Sequence, residues 1–277
     1  MTVALTGATG FVGRQILRVL LERDCRVRLI VRDPTRLEEF QASSAVEVVQ
    51  TDDLFAEKPE RLRVLLADSE TVIHAAWYAE PGKYLNSPLN LDCLAGTLNL
   101  VRAFSAVGGQ RFVGIGTCLE YDLTAGPLTP DTPLAPATLY AACKASAYQT
   151  IGRFLESERV SFAWGRLFYL YGQGEDERRL VPYIRKQLAS GKRALLTRGE
   201  QIRDFIDVGE AGRMIAELAL GQWEGAVNIC SGKAVTVRQL AESIADEYGR
   251  RDLLHFGGRA ENSFDPPRVV GVRGDWR

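Results

Sequence analysis

Short β-rich apolar runs alternate with longer helix-periodic stretches through the first half of the chain. Thr2–Leu5, Arg26–Val31, Val46–Gln50, Thr71–Ala75 and Arg111–Ile115 read as strands, and Val12–Glu22, Glu60–Leu66 and Leu91–Ala106 as helices. Apolar strands separated by amphipathic helices imply a parallel sheet covered on both faces and joined by right-handed crossovers. The expected fold class is therefore α/β, a doubly wound parallel sheet. After about residue 165 the rhythm changes. Helices at Val181–Ser190 and Glu210–Leu220 alternate with short strands near Ala194–Leu196 and Ala226–Ile229, and Thr236 reads as the N-cap of a helix through Tyr248. A Gly-, Pro- and Arg-rich tail follows from Gly257. Residues 1–164 thus form the expected first domain, and 165–277 a smaller lobe interleaved with the sheet.

Composition narrows the function. The 277 residues are 46% hydrophobic and carry 34 basic against 35 acidic side chains, a net charge of −1. Such a balance offers no field for phosphate backbones or anionic lipid, so neither nucleic acid nor membrane is an expected partner. No run approaches the roughly 18 apolar residues of a membrane span. The first residues, MTVALTGATG, show neither a basic n-region nor a cleavage site, and the expected location is the cytoplasm. Five scattered cysteines without a CxxC pair suit reduced thiols. The two histidines, His74 and His255, have no metal-ligand spacing, and no metal is expected. A Ser-His-Asp hydrolase is disfavoured, because His74 would be its only base.

Directly after the first strand comes Gly7-Ala8-Thr9-Gly10-Phe11-Val12-Gly13, opening a helix. Gly7 permits the sharp turn, Gly10 clears a pyrophosphate's approach to the backbone, and Gly13 allows close helix–strand packing. The helix N-terminus supplies free N–H groups and a favourable dipole, so the loop reads as a dinucleotide site. An acid binding the ribose is expected about 20 residues further on. Asp33 fits that place, yet before Pro34 it could equally open a turn. Arg32 and Arg36 offer guanidinium groups to a 2′-phosphate, which favours NADP(H) over NAD(H). Asp52, Asp53 and the adjoining Leu54 follow the third strand, where the acids either accept from an adenine amino group or are simply a solvated strand end.

Tyr140-Ala141-Ala142-Cys143-Lys144 follows a Pro-rich stretch and is compatible with a helix, which would set Tyr140 beside Lys144 at i and i+4. Thr117 lies just past the fifth strand, at the sheet edge where open α/β folds bind ligands. Ketone reduction needs hydride on carbon and a proton on oxygen. A phenol can give that proton when a neighbouring ammonium stabilises its phenolate, and a threonine hydroxyl can hold the carbonyl oxygen.

The TGATGFVG loop, a strand ending His74-Ala75-Ala76, Thr117 and YAACK together resemble the extended short-chain dehydrogenase/reductase family, the nucleotide-sugar epimerase/dehydratase group with a Rossmann domain and a C-terminal substrate-binding lobe. The resemblance implies that Thr117, Tyr140 and Lys144 are catalytic and that Ala75 and Ala76 adjoin the cofactor. Trp77, in an aromatic stretch running to Tyr84, would form a rim over nicotinamide or sugar, or pack. Arg166–Gly172 resembles the segment beside the nicotinamide, which brings in Phe168, with Tyr169 in a substrate position often held by Asn. Arg203-Asp204-Phe205 resembles the motif whose Arg contacts the nucleotide diphosphate, and Arg268 stands as a second such ligand. Dehydratases of the family carry Asp-Glu after the catalytic Thr, whereas this chain has Cys118-Leu119, which disfavours dehydration. Cys118 could serve as an acid toward substrate or fill space. Arg178 and Arg179 read as a solvated loop or helix start.

The phrase Gly116-Thr117-Cys118-Leu119-Glu120-Tyr121 looks most like the subgroup that reduces nucleotide-linked 4-keto-6-deoxyhexoses, particularly dTDP-linked ones. The leading expectation is NADPH-dependent reduction of such a sugar. A 4-epimerase holding NAD and a non-catalytic dinucleotide sensor are the alternatives. The family often dimerises through helices that would correspond to Leu91–Ala106 and Tyr140–Leu155, where Ala141, Ala142, Ala145 and Ala147 are small enough for close packing.

Overall fold

The computed structural model describes residues 1–41, 43–261 and 265–274. The chain opens with β1 (Thr2–Thr6), α1 (Phe11–Glu22), β2 (Arg26–Val31), α2 (Glu38–Gln41) and β3 (Val46–Gln50). It continues through α3 (Pro59–Leu66), β4 (Thr71–His74), α4 (Leu89–Ala106), β5 (Arg111–Thr117), α5 (Leu139–Glu158) and β6 (Ser161–Leu167). Then follow β7 (Tyr169–Tyr171), α6 (Leu180–Ala189), β8 (Ala194–Leu196), β9 (Ile202–Arg203), β10 (Phe205–Asp207), α7 (Val208–Leu220) and β11 (Gly225–Ile229). The last elements are β12 (Val235–Thr236), α8 (Val237–Tyr248), β13 (Leu254–Phe256) and β14 (Arg268–Val269).

Seven parallel strands form the main sheet in the order β11-β6-β5-β4-β1-β2-β3. The order reverses between β1 and β4, which marks the ligand-binding edge of a doubly wound fold. Both faces are covered, so β4 and β5 are buried at every residue and read as continuous apolar runs. On one face Ile16, Leu17 and Leu20 of α1 pack with Met214, Ile215 and Leu218 of α7. On the other, Leu62 and Leu65 of α3 join Leu100 and Phe104 of α4 and Ile151 and Leu155 of α5.

The smaller lobe has its own core, in which Val181, Ile184 and Leu188 of α6 meet Ala241, Ile244 and Ala245 of α8. Around it β13 pairs with β8, β10 with β7, and β9 lies between β12 and β14. The chain does not leave the first sheet for good at residue 165: α7 covers it and β11 closes its edge beside β6.

One strand goes beyond the expected elements, and one expected feature differs in the structure. The seven-residue strand β6 escapes a reading by periodicity, because Trp164-Gly165-Arg166 interrupts its apolar run. Arg166 is nonetheless buried, since it has a buried partner. Ala141, Ala145 and Ala147 are also buried in the chain's own core, so they do not form an outward packing face on α5. No described helix is long and apolar enough to cross a membrane.

Candidate active site

The glycine loop is built by steric exclusion. Gly7 has φ +73°, and a Cβ there would lie 2.7 Å from the Ala75 carbonyl carbon and the Ala76 nitrogen. A Cβ on Gly13 would sit 2.1 Å from the Gly7 oxygen, so Gly13 clears the loop itself more than the sheet. At Gly10 a Cβ would meet only that same oxygen, at 3.2 Å. Gly10 N–H donates to the Gly7 carbonyl at 2.9 Å, and α1 starts with no side-chain cap and no acid in its first turn. The amides of Phe11, Val12 and Gly13 thus begin a helix with no side chain competing for them, an arrangement that fits a dinucleotide pyrophosphate.

The residues around the loop sort by what already occupies them. Arg36 donates from Nη2 to the Thr9 carbonyl at 3.4 Å, and Arg32 is exposed at the end of β2. Asp33 accepts from both the amide and the hydroxyl of Thr35, capping the following turn. Asp53 likewise accepts from the Phe55 amide at 3.0 Å, while Asp52 is exposed and Leu54 buried. Both acids therefore serve local turns. The two arginines remain the groups suited to a phosphate.

Thr117 ends β5, and Thr138 caps α5 by accepting from the Ala141 amide at 3.2 Å, which sets Tyr140 and Lys144 in the first turns of that helix. The Thr117 side chain draws the pKa of the Tyr140 phenol down, against the effect of burial. Burial pushes the phenol above its ordinary range and pulls the Lys144 ammonium down to about 7. Lys144 does not donate to Tyr140: its ammonium gives a 2.6 Å hydrogen bond to the Ile115 carbonyl and lies 3.8 Å from the centroid of the Trp77 ring. Tyr84 stands edge-on to Tyr140 at 4.8 Å, and the guanidinium of Arg179, the residue before α6, lies 5.8 Å from the centroid of the Tyr84 ring. Arg178 pairs with Asp176 and Glu80, joining the loops after β4 and β7 across the mouth of the site.

Beneath the trio lies a buried polar network that sequence reasoning missed. Glu120 accepts from the Thr117 amide at 2.8 Å and from Arg166 Nε at 2.7 Å, and Trp164 Nε1 donates to the same carboxylate. Arg166 also reaches the Tyr121 hydroxyl at 3.0 Å, which donates to Asn228 at 2.6 Å. His74 is equally enclosed. Thr97 uses its hydroxyl proton on the Cys93 carbonyl, so His74 must donate from Nε2 to Thr97 and accept at Nδ1 from Thr6. Burial lowers its pKa to about 3, and it is a neutral strut rather than a base.

Cys118 is buried beside Phe168, Tyr121 and Cys230, and burial pushes its thiol up to about 12. Arg203 lies over the Tyr169 ring at 5.2 Å and pairs with Asp265 at 2.6 Å. Arg268 is on β14, whose pairing with β9 sets Val269 opposite Arg203. Asp204, which the sequence reading passed over, accepts from the amides of Ser231, Gly232 and Gly271 and from the Ser231 hydroxyl.

A sequence model of the NAD dependent epimerase/dehydratase family matches residues 3–230. The chain is 24% identical over 275 residues to a dTDP-6-deoxy-L-talose 4-dehydrogenase (NAD(+)) of Aggregatibacter actinomycetemcomitans, covering 99% of this chain and 100% of that enzyme. It is 28% identical over 262 residues to a dTDP-6-deoxy-L-talose 4-dehydrogenase (NAD(P)(+)) of Kitasatospora kifunensis, covering 89% and 79%. Among solved structures, a UDP-N-acetylglucosamine 4-epimerase from Methanobrevibacter ruminantium M1 superposes with a TM-score of 0.87 at 24% identity, over 99% of this chain and 90% of that one. The dTDP-glucose 4,6-dehydratase DesIV from Streptomyces venezuelae gives 0.85 at 21% identity, over 99% and 88%. These likenesses place the fold among nucleotide-sugar enzymes.

Replacing Glu120 by Gln removes the charge that compensates Arg166. Urea unfolding of the variant is expected to show a loss of about 3–5 kcal/mol, the penalty of an unpaired buried charge.

Proposed function

The chain belongs to the NAD dependent epimerase/dehydratase family, and we propose that within it the protein is an NADPH-dependent reductase of the 4-keto group of a dTDP-linked 4-keto-6-deoxyhexose. The observation that carries this reading is the placement of Tyr140 and the buried Lys144 in the first turns of α5 with Thr117 at the carboxyl end of β5, where the Thr117 side chain acts on the Tyr140 phenol. Both curated relatives are named for oxidation at the same sugar position, and reduction is that step reversed.

The amides at the start of α1 would hold the pyrophosphate of a reduced dinucleotide, which when bound would supply the hydride that C4 requires. Thr117 holds the C4 oxygen through its hydroxyl. Tyr140, kept protonated by burial, gives its phenolic proton to that oxygen as the carbonyl π pair becomes the lone pair that accepts it. The Lys144 ammonium lowers the energy of the phenolate charge as it develops. Elimination of water would need an acid and a base beside Thr117. That position holds only Leu119 and the buried Cys118, whose thiol stays protonated, and this supports reduction over dehydration. Arg203 and Arg268 are read as diphosphate ligands, with Tyr169 and Cys118 lining the sugar. Ala75, Ala76, Trp77 and Phe168 are read as adjoining the nicotinamide. A homodimer through α4 and α5 belongs to the same reading, supported by exposed Leu89 and Leu91 at the start of α4.

The test mixes the protein with NADPH and dTDP-4-keto-6-deoxyglucose and follows both cofactor absorbance and sugar product. Stoichiometric loss of NADPH with a dTDP-6-deoxyhexose product is expected, whereas sugar isomerisation without net cofactor loss would replace the reading by a 4-epimerase. Tyr140→Phe should lower turnover by about 10²–10⁴-fold while NADPH still binds, as measured by fluorescence titration. Exchanging Arg32 and Arg36 together for Ala should weaken NADPH about 10–100-fold and leave NADH nearly unchanged, since only the former loses charge-assisted hydrogen bonds. The Lys144 ammonium is present below about pH 7 and lost above it, so the reduction rate should fall as pH rises through that value in a stopped-flow pH series.

A further inference from the structure

Lys144 is an ammonium with little to hold it charged. Of its three donors one is satisfied, by the Ile115 carbonyl at 2.6 Å. Among the titratable groups facing it from the surrounding elements, Glu120 supplies the charge that draws it toward the ammonium form. His74 on β4 is neutral, and Cys93 on α4 is a thiol whose pKa burial raises. Glu120, in the turn after β5, already pairs with Arg166 at 2.7 Å. What does cover the ammonium is the face of Trp77, 3.8 Å away, with the Trp164 ring more distant at 5.9 Å.

The indole is itself fixed from several sides. Trp77 Nε1 donates to Asn90 Oδ1 at 2.8 Å, and Asn90, fully buried, gives its amide hydrogens to the carbonyls of Tyr84 and Ser87 at 2.6 and 2.9 Å. Phe55 and Tyr140 each meet the ring at a steep angle, with centroids 6.5 Å away. From this geometry we propose that Trp77 is a positioning residue, a π-face clamp that keeps the Lys144 ammonium charged and directed away from solvent beside Tyr140, rather than an aromatic that merely rims the nicotinamide.

The role follows from the physics of the contact. A cation over an indole face is stabilised by the ring quadrupole, and the effect grows where water is excluded. Burial alone draws Lys144 toward the neutral amine, and the indole opposes that pull. Asn90 makes the opposition geometric, because an indole free to rotate would present its positive edge to the ammonium as readily as its face. The consequence for catalysis rests on the reduction proposed above, but the electrostatic claim does not.

The test reads Lys144 directly. In ¹⁵Nζ-lysine NMR of the whole protein without cofactor, with the Lys144 signal identified by its loss in Lys144→Met, the amine is titrated in wild type, Trp77→Phe and Trp77→Leu. Trp77→Phe retains a weaker π face and should lower the Lys144 pKa only by a few tenths of a unit, whereas Trp77→Leu should lower it by about one unit, equivalent to about 1.4 kcal/mol. The fall of the reduction rate with rising pH should move to lower pH by the same amount, which a purely structural role would not produce. A Lys144 titration in Trp77→Leu that coincides with wild type overturns the clamp. A shifted titration in a protein that reduces none of the 4-keto sugars offered upholds the clamp and overturns the proposed reaction instead.

Discussion

The buried ion pair between Glu120 and Arg166 is the constraint around which the candidate site is arranged. Arg166 lies on β6 opposite Gly116 of β5, and Glu120 occupies the turn that ends β5. The carboxylate fits there only because Gly116 has no side chain: a Cβ would fall 2.4 Å from Glu120 Oε1 and 2.1 Å from Trp164 Nε1. Desolvating two charges takes back much of what their attraction returns, so such a pair is a weak source of net stability. What it contributes here is position. The same carboxylate receives the Thr117 amide, and the same guanidinium reaches through Tyr121 to Asn228 on β11. The strand end carrying Thr117 is thereby tied to the far edge of the sheet.

With that frame in place, the electrostatics of the site follow from burial. Low dielectric favours the neutral form of every titratable group, and it raises Tyr140 while lowering Lys144. Those shifts leave the proton on the phenol at rest, which is the state a proton donor needs. In the proposed reduction the ammonium would gain little from a neutral phenol and much from a phenolate, so its attraction would be expressed as charge develops in the transition state and not in the ground state. His74 and Cys93 stay uncharged close by, while the Glu120 carboxylate acts on both groups, favouring the ammonium and disfavouring the phenolate.

How much of this was legible in the sequence depends on whether a residue's role is local. The glycine loop is local, and its three glycines stand where spacing placed them, although Gly13 clears the Gly7 carbonyl rather than the strand. The i, i+4 rule set Tyr140 and Lys144 on one turn of helix, but not the direction of the ammonium, which Ile115 and Trp77 decide from other elements. The strand β6 was hidden for the same reason. Arg166 looks like an interruption until Glu120, 46 positions earlier, is known to meet it. Asp33 shows the opposite case, where a purely local signal, an acid before a proline, correctly announced a turn.

The segments around Arg203 are held by a different principle from the glycine loop, which steric exclusion shapes. The strands bearing Tyr169, Arg203 and Arg268 are only two or three residues long and bring little apolar surface of their own. They are fastened by polar ties between distant segments: Asp204 gathers Ser231, Gly232 and Gly271, and Asn228 holds the carbonyls of Leu128 and Val272. Hydrogen bonds of this kind are directional, and each depends on the exact backbone it meets. Packing of the Rossmann layer, by contrast, tolerates any side chains of suitable volume. A single fold can therefore keep its glycine loop and its sheet while the short strands are re-tied, and under the proposed reduction sugar specificity would be sought in β7, β9 and β14.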